Sequence, residues 1–356
     1  MDERMLNIAS HFVIEGEIEI IKPLGEGFIN DTFVIKTEGE APNYILQRKN
    51  HIIFPDVPGM MENIKAVTEH IKAKVADPLR ETLTVIPAKD GKLYVKDGEN
   101  FWAVCLFIPD TTSPVRADTP ELAYQGGLGT GRFQALLSDF TQPLNETIKG
   151  FHNIRWRFQQ WDETIAADPV GRVAELQEEI SWIESRRKEM LDFWSLVEDG
   201  TIPMHVTHND TKISNILFNA SDGSMLCMID LDTVMPSFVF SDFGDFLRTA
   251  ANKVAEDDPR IEMVEFDMEI FKAFAKGYIE SASVFLTPVE RENLPYAAAL
   301  FPYMQAVRFF ADYINGDTYY KIKYPEHNLV RTRNQMALFR SVIEHLPQMK
   351  EYISSI

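Results

Sequence analysis

The fold is decided by residues 204–233, MHVTHNDTKISNILFNASDGSMLCMIDLDT. This stretch contains the pattern H-N-D-x-x-x-x-N, from His208 to Asn215, between an apolar strand and the apolar run ILF. After the turn NASDGS a second apolar strand ends on Asp230, and Asp232 follows two residues later. Branched and apolar runs separated by turn residues are typical of strands. We therefore predict a strand-rich segment that carries a set of polar side chains between its strands.

These polar residues are the types that phosphoryl transfer requires. A base must accept the proton of the attacking hydroxyl, and Asp210 is the candidate. Asn215 and Asp230 are candidates for holding Mg²⁺ on nucleotide phosphates. Protein kinases use H-R-D-x-x-x-x-N and a later aspartate for these tasks, and Asn209 takes the place of the arginine here. The alternative is that these residues serve only in turns.

Two other chemistries fit the sequence less well. His205 and His208 suggest a metal pair, but residues three apart on a strand point to opposite faces. No serine in this region lies in the G-x-S-x-G pattern of an acyl-transfer nucleophile. The sequence therefore favours phosphoryl transfer over a zinc site or acyl transfer.

The composition is that of a folded protein with an acidic excess. The chain has 356 residues, with 35 Lys and Arg against 54 Asp and Glu, which gives a formal net charge of −19. Such a charge repels nucleic acid and anionic membranes, so neither is expected as a partner. Two cysteines are too few for a disulfide framework. The sequence shows neither a signal-peptide pattern nor an apolar stretch long enough to span a bilayer. We therefore expect a soluble, cytoplasmic protein. The sequence does not determine the oligomeric state, and a monomer is favoured.

Two regions of different composition divide the chain. Residues 1–109 contain short strand patterns and a helix near 58–75, whereas residues 110–356 are mainly helical. The stretch 110–120 is rich in Thr, Pro and Asp and predicts a linker. Helical spacing then recurs at residues 121–139, 154–167 and 172–197. We predict a β-rich domain over 1–109 and a helical domain over 110–356.

The sequence contains two glycine clusters, which differ in the predicted elements that flank them. Gly25 and Gly27 lie between two predicted strands, where a flexible loop can cover phosphates, and a plain hairpin turn is the alternative. The second cluster is GGLGTGRF, from Gly126 to Phe133. A dinucleotide-binding fingerprint follows a strand, and no strand is predicted before this cluster, so we do not assign that function to it. We interpret its glycines as helix-start and packing positions.

Longer stretches of the sequence resemble a known superfamily nearly end to end. They are IASHF, GEGFINDTFVI, YILQRKN, IFPD, THNDTKISNIL, MIDLDTVMP, FSDFGDFLR, RFFADYINGDTYY and KYPEHNLVRTR. With these stretches the chain resembles the aminoglycoside phosphotransferase and choline kinase superfamily, and within it the N-acetylhexosamine 1-kinases. The H-N-D and I-D-L-D motifs are specific to the superfamily, and the last two stretches point to the hexosamine group.

The resemblance implies an α+β, bilobal protein-kinase-like fold, with a small β-rich N-lobe for nucleotide and a larger, mainly helical C-lobe for catalysis and sugar. It implies ATP and Mg²⁺ as cofactors, MgATP between the lobes, and transfer to the anomeric C1 hydroxyl of N-acetylglucosamine or N-acetylgalactosamine. The residues that match the superfamily's site are the base Asp210, which also contacts sugar, the metal ligands Asn215, Asp230 and Asp232, the hinge residues Phe107 and Ile108 at adenine, and the sugar contacts Arg308 and Tyr319. In FSDFGDFLR, we expect Asp242 and Asp245 to cap and brace a helix.

Two positions depart from the superfamily pattern. Its third strand usually carries a Lys or Arg for the nucleotide phosphates, and this chain has Gln47 as the candidate nucleotide contact there. Arg48 is adjacent, but neighbouring strand residues face opposite ways, so Arg48 need not substitute. In the glycine loop, Phe28 stands where the hexosamine kinase pattern has histidine.

These departures leave two alternatives open. The first is a kinase for another sugar or for an amino alcohol, similar to choline and homoserine kinases, although Arg308 argues against a cationic acceptor. The second is a catalytically silent kinase fold that binds nucleotide. Gln47 motivates the silent alternative, and the intact Asp210, Asn215 and Asp230 oppose it.

Overall fold

The computed structural model describes residues 3–25 and 30–356, which divide into two compact units. The first comprises Met1–Thr112, Asp139–Lys149 and Leu217–Met235, and the second comprises Ser113–Ser138, Gly150–Ile216 and Pro236–Ile356. A sheet dominates the first unit and helices dominate the second, which confirms the predicted α+β class. The predicted boundary after residue 109 stays a prediction, because the first unit also contains two segments from later in the chain.

An antiparallel sheet forms the frame of the first unit. Its strands are β1 (Ile18–Pro23), β2 (Asp31–Thr37), β3 (Tyr44–Lys49), β4 (Val85–Ile86), β5 (Val95–Asp97) and β6 (Asn100–Leu106). They lie in the order β1-β2-β3-β6-β4, and β5 pairs with β6. The helices α1 (Glu3–Ser10) and α2 (Val57–Lys72) belong to the same unit. The predicted strands DTFVIKT and NYILQRKN correspond to β2 and β3.

The first helix covers one face of this sheet. Ile8 of α1 is buried in one cluster with Tyr44 and Leu46 of β3. Because side chains alternate between the two faces of a strand, Gln47 and Lys49 point to the other face. The sheet therefore presents polar groups of β3 on the face that α1 leaves uncovered.

Helices make up most of the second unit. They are α3 (Pro120–Leu136), α4 (Ile154–Ala167), α5 (Gln177–Glu198), α6 (Phe240–Ala250), α7 (Met268–Ala282), α8 (Pro288–Ile314) and α9 (His327–Ser355). The helices predicted at 121–139, 154–167 and 172–197 are confirmed as α3, α4 and α5. Across residues 3–25 and 30–356, every helix is too short or too polar to span a bilayer.

Short strands surround the decisive stretch, as predicted. They are β7 (Thr111–Thr112), β8 (His205–Thr207), β9 (Ile216–Asn219), β10 (Met225–Met228) and β11 (Met235–Ser237). One sheet has the order β10-β9-β7, and β8 pairs with β11. The predicted turn NASDGS joins β9 to β10, closed by a hydrogen bond from the Asn219 N–H to the Ser224 carbonyl at 2.8 Å.

Glycines allow the backbones of α3 and α7 to approach closely. A Cβ atom on Gly127 would lie 2.2 Å from the Phe274 carbonyl oxygen, and one on Gly277 would lie 2.2 Å from that of Tyr124. The prediction that the GGLGTG glycines serve packing is confirmed. The prediction that they mark a helix start is wrong, because α3 already begins at Pro120 and its capping Thr119.

We expect the substitution Gly127→Ala to lower the free energy of unfolding by about 1–3 kcal/mol. The added methyl would overlap the Phe274 carbonyl oxygen, which belongs to a helix backbone that cannot move away cheaply. Urea denaturation followed by circular dichroism measures the change. Glu121→Ala, at an exposed position of α3, is the control and should change stability by less than about 0.5 kcal/mol. A Gly127→Ala protein as stable as the wild type would contradict this packing.

Candidate active site

Asp210 lies in the turn that follows β8 and is held by its neighbours. Asn215 Nδ2 donates to the Asp210 main-chain oxygen at 2.8 Å and to Asp210 Oδ2 at 3.0 Å. Lys212 Nζ lies 3.0 Å from the same Oδ2, and the Asp210 N–H donates to His208 Nδ1 at 3.2 Å. Burial acts to raise the pKa of Asp210, but Lys212, His208 and the hydrogen bonds lower it below its ordinary value. The carboxylate is therefore ionised at neutral pH and can accept a proton.

The turn itself is held by Asp242. This buried side chain of α6 accepts hydrogen bonds from the main-chain N–H groups of His208, at 3.0 Å, and Asn209, at 2.7 Å. Gln134 Nε2 also donates to Asp242 Oδ2, at 2.8 Å. The expectation that Asp242 caps its own helix is wrong, because the N-cap of α6 is Val239 and receives no side-chain cap. Asp242 instead fixes the loop that carries the base.

Two motif residues adopt a left-handed backbone conformation. Asn209 has φ of +66° and Asp230 has φ of +60°. For residues other than glycine this conformation costs about 1–2 kcal/mol, and Asn and Asp adopt it most readily. Such conformations concentrate at functional sites, where the surrounding contacts hold them. The sequence motifs therefore coincide with two strained backbone positions, one in each unit.

The donor chemistry of two predicted ligands fits Mg²⁺. Asn215 uses its Nδ2 on Asp210, and its Oδ1 accepts no hydrogen bond from any residue that the structure describes. Asp230, two residues after β10, supplies a carboxylate. Mg²⁺ is commonly held by one or two such oxygens together with substrate phosphates and waters. Among residues 3–25 and 30–356 there is no group of three or more His, Cys, Asp or Glu side chains that could hold a metal by themselves.

Asp232 forms a buried ion pair that the sequence analysis missed. Lys49, the last residue of β3, is 4% exposed, and its Nζ lies 2.6 Å from Asp232 Oδ1. Asn30 Nδ2 donates to Asp232 Oδ2 at 2.7 Å, so both carboxylate oxygens already bind protein groups. Burial acts to lower the pKa of Lys49, but Asp232 and Asp230 raise it above its ordinary value. The role of Asp232 as a metal ligand stays a prediction.

The sequence feature that could have identified Lys49 is its spacing of two residues from Gln47. The two residues lie two apart on β3 and therefore share a face, and Gln47 Oε1 accepts a hydrogen bond from Lys49 Nζ at 2.7 Å. Gln47 Nε2 donates to Thr32 Oγ1 at 3.3 Å. Arg48 points the other way, is exposed and pairs with Asp31. The strand thus provides a buried cation two residues beyond the position where the superfamily places one.

The predicted hinge follows β6. The Phe107 N–H donates to the Asn43 carbonyl at 2.9 Å, and the Ile108 side chain is buried beside Leu226 and Cys227. Within the described part of the chain, the Phe107 carbonyl and the Ile108 N–H have no hydrogen-bond partner. The two groups belong to one trans peptide and point in opposite directions, so either of them, but not both, can contact the edge of a nucleobase.

Part of the predicted glycine loop is described. Gly25 follows β1 with φ of +69°, a conformation that favours glycine, and a Cβ there would meet no atom of the described residues within 4 Å. The backbone conformation is therefore a sufficient reason for glycine at this position. Gly27 and Phe28 lie outside the described residues, so the predictions made for them stay predictions.

Two arginines lie together in the second unit without carboxylate partners. The Arg308 guanidinium lies 4.9 Å from the ring centre of Phe151 and 5.8 Å from that of Tyr320, and Nη1 donates to Gln305 Oε1 at 3.0 Å. Arg157 Nη2 donates to the Phe151 carbonyl at 2.6 Å. Burial, and then the charge of Arg308, lower the pKa of Arg157 to about 9. In the described chain neither guanidinium forms an ion pair with a carboxylate, so this region is cationic.

His152 connects this cationic region to the base. Its Nδ1 lies 2.9 Å from Ser241 Oγ, and the ring is buried. Burial, with the charges of Arg308 and Arg157, lowers its pKa well below the ordinary value, while Asp210 acts in the opposite direction. His152 is therefore neutral, and it lies within electrostatic range of both the arginines and the Asp210 carboxylate.

Tyr319 lies in a loop that is held by Asp312. The Asp312 carboxylate accepts hydrogen bonds from the main-chain N–H groups of Thr318 at 2.9 Å, Tyr319 at 2.8 Å and Tyr320 at 3.0 Å. The Tyr319 side chain is 44% exposed, and its ring meets the Tyr320 ring edge-on at 4.8 Å. Its hydroxyl makes no hydrogen bond to another described residue. The structure thus groups Tyr319 with Arg308 through Tyr320.

The sequence matches a known family over most of its length. Residues 20–282 match the family model described as the phosphotransferase enzyme family, and the matched region contains the H-N-D and I-D-L-D motifs. The chain belongs to this phosphotransferase family. Membership confirms the superfamily that the sequence motifs predicted.

Solved structures of this family share the fold of the chain. An aminoglycoside phosphotransferase from Alicyclobacillus acidocaldarius is 13% identical, with a TM-score of 0.64 over 99% of this chain and 96% of that one. A spectinomycin phosphotransferase in complex with ADP and spectinomycin is 14% identical, with a TM-score of 0.57 over 98% of both chains. A choline kinase from Cryptosporidium parvum is 14% identical, with a TM-score of 0.59 over 100% of this chain and 99% of that one. These similarities confirm the predicted kinase-like fold.

We expect Asp242→Ala to lower the free energy of unfolding by about 2–4 kcal/mol, because two buried N–H groups lose their acceptor. Urea denaturation of the purified protein measures the loss. Glu163→Ala, an exposed carboxylate of α4, is the control. A loss below about 0.5 kcal/mol for Asp242→Ala would show that the turn does not depend on this side chain.

Proposed function

We propose that this phosphotransferase is an ATP- and Mg²⁺-dependent kinase that phosphorylates the anomeric C1 hydroxyl of N-acetylglucosamine or N-acetylgalactosamine. The observation that carries the proposal is the Asp210 carboxylate, which Lys212 keeps ionised and Asn215 orients. In the same unit, Arg308 and Tyr319 are groups suited to the hydroxyls and ring of a sugar. The resemblance of the C-terminal stretches to hexosamine kinases supports this class of acceptor.

In the proposed reaction, Asp210 takes the proton of the C1 hydroxyl. The sugar oxygen forms a bond to the γ-phosphorus of ATP, and the bond between that phosphorus and the β–γ bridging oxygen breaks. The products are the sugar 1-phosphate and ADP, and Asp210 then releases its proton to water. Lys212, beside the base, supplies positive charge for the transferred phosphoryl group.

Nucleotide and metal would be held by a main-chain group of the predicted hinge and by two side chains of the motifs. From the peptide that joins Phe107 to Ile108, either the carbonyl or the N–H would contact the adenine edge. Asn215 Oδ1 and the Asp230 carboxylate would hold Mg²⁺, which when bound neutralises charge on the phosphate oxygens. The spectinomycin phosphotransferase with this fold was solved with ADP, which supports a nucleotide as phosphoryl donor.

The charge around Arg308 favours a sugar over an amino alcohol. Arg157 and Arg308 carry two positive charges without carboxylate partners in the described chain, and a third cation beside them would be repelled. Sites for ammonium ligands instead use aromatic rings free of a competing cation. Because a choline kinase shares the fold, an amino alcohol is still the alternative that an acceptor assay must exclude.

We expect Asp210→Asn to lower the turnover number by about 10²–10⁴-fold, because an amide cannot accept the hydroxyl proton. ADP release from ATP with N-acetylglucosamine measures turnover, and circular dichroism verifies folding. Asp222→Asn, an exposed position in the turn after β9, is the matched control and should keep wild-type turnover. Retention of more than about a tenth of the activity by Asp210→Asn would exclude Asp210 as the base.

A panel of acceptors tests the proposed substrate class. With ATP and Mg²⁺, we expect kcat/KM for the two N-acetylhexosamines to exceed that for glucose, galactose, choline, ethanolamine and homoserine by at least about tenfold. Preference for choline or ethanolamine would contradict the proposal and support the amino alcohol alternative. ADP binding without turnover on any acceptor would support a catalytically silent protein.

A further inference from the structure

Lys49 has the properties of a phosphate-binding lysine at an unexpected position. It is buried at the end of β3, on the face that α1 leaves uncovered. A lysine ammonium has three N–H donors, and Asp232 Oδ1 and Gln47 Oε1 accept from Lys49 at 2.6 and 2.7 Å. No other described residue accepts from Lys49. One of the three donors therefore has no acceptor among the described residues.

The partner of this lysine also differs from the kinase template. In protein kinases the strand lysine pairs with a glutamate of the following helix. In α2, Glu62 and Glu69 are exposed, and the inward-pointing Asn63 donates to the Val234 carbonyl at 3.1 Å. Over the described residues Lys49 pairs with Asp232 alone among carboxylates, two positions after Asp230.

We propose that Lys49 contacts the nucleotide phosphates in place of the strand lysine that Gln47 replaces, and that Asp232 positions Lys49 and does not bind metal. This inference rests on the proposed kinase function. The strand rises about 3.3 Å per residue, so a shift of two residues moves the cation about 7 Å along the same face. The Lys49 ammonium group donates to both Asp232 Oδ1 and Gln47 Oε1, so Gln47 helps to hold the lysine.

The contacts of Asp232 agree with a positioning role. Oδ1 accepts from Lys49, and Oδ2 accepts from Asn30, whose own Oδ1 accepts from the Asn50 N–H at 3.0 Å. A buried carboxylate in this arrangement has its charge compensated by lysine and its orientation fixed by the amide. Asp230, two residues earlier, is then the candidate metal ligand of this segment.

Titration of ADP and adenosine into the purified protein tests the role of Lys49. In Lys49→Met, we expect the dissociation constant for ADP to rise by about 10- to 100-fold and that for adenosine to stay within about twofold. The change should be the same with EDTA as with Mg²⁺. Arg48→Met, on the opposite face of the same strand, is the matched control and should leave both constants unchanged. Equal affinity of wild type and Lys49→Met for ADP would overturn the inference.

The variant Asp232→Asn distinguishes a role of Asp232 in positioning Lys49 from a role in binding metal. A positioning role predicts weaker ADP binding in EDTA and in Mg²⁺ alike, with an unchanged Mg²⁺ concentration for half-maximal binding. A metal ligand would leave binding in EDTA unchanged and raise that concentration, which would contradict the inference. The double variant Lys49→Met/Asp232→Asn removes both charges together, so that neither is left unpaired, and should bind ADP as weakly as Lys49→Met.

These outcomes are distinguishable from failure of the proposed function. If the wild type binds ADP, Lys49→Met does not, and no acceptor is phosphorylated, the role of Lys49 stands and the kinase proposal fails. If sugars are phosphorylated and Lys49→Met binds ADP normally, the kinase proposal stands and the role of Lys49 fails. A parallel loss of ADP and adenosine binding in the folded double variant would indicate a purely structural pair and overturn the inference.

Discussion

The arrangement around Asp210 depends on the buried carboxylate of Asp242. It reaches the His208 N–H from 34 residues away in the sequence and also accepts from the next N–H, that of Asn209. Buried N–H groups must find an acceptor, and a left-handed residue in a tight turn removes the usual strand partners. One carboxylate from α6 supplies both acceptors. With the turn fixed in this way, Asn215 and Lys212 can hold the base in one orientation.

Charge pairing gives each unit a distinct electrostatic character. In the first unit, the buried cation Lys49 is matched by Asp232. In the second, Arg248 pairs with Asp245, while Arg157 and Arg308 have no carboxylate partner in the described chain. A net charge of −19 therefore coexists with a local cationic region suited to hydroxyl or phosphate oxygens. The overall charge predicts repulsion of polyanionic partners but does not describe the small-molecule site.

Local patterns were sufficient to predict much of the fold. The strand DTFVIKT and the helix from Ile154 to Ala167 have the predicted bounds, because alternation and helical spacing are properties of neighbouring residues. The helix α1 was missed because it has eight residues and is stabilised by packing on the sheet. The contacts of Lys49 and Asp242 were not predicted, because they join residues far apart in the sequence. The partner of Lys49 lies 183 residues away, and no local pattern indicates such a pair. The motif residues could be identified, but the groups that position them could not.

Phosphorus NMR of the product formed from ATP, Mg²⁺ and N-acetylglucosamine tests the central claim most directly. The account predicts a phosphate resonance coupled to the anomeric proton, since Asp210 would deprotonate the C1 hydroxyl. A phosphate coupled to protons of any other carbon would contradict the assignment of the acceptor.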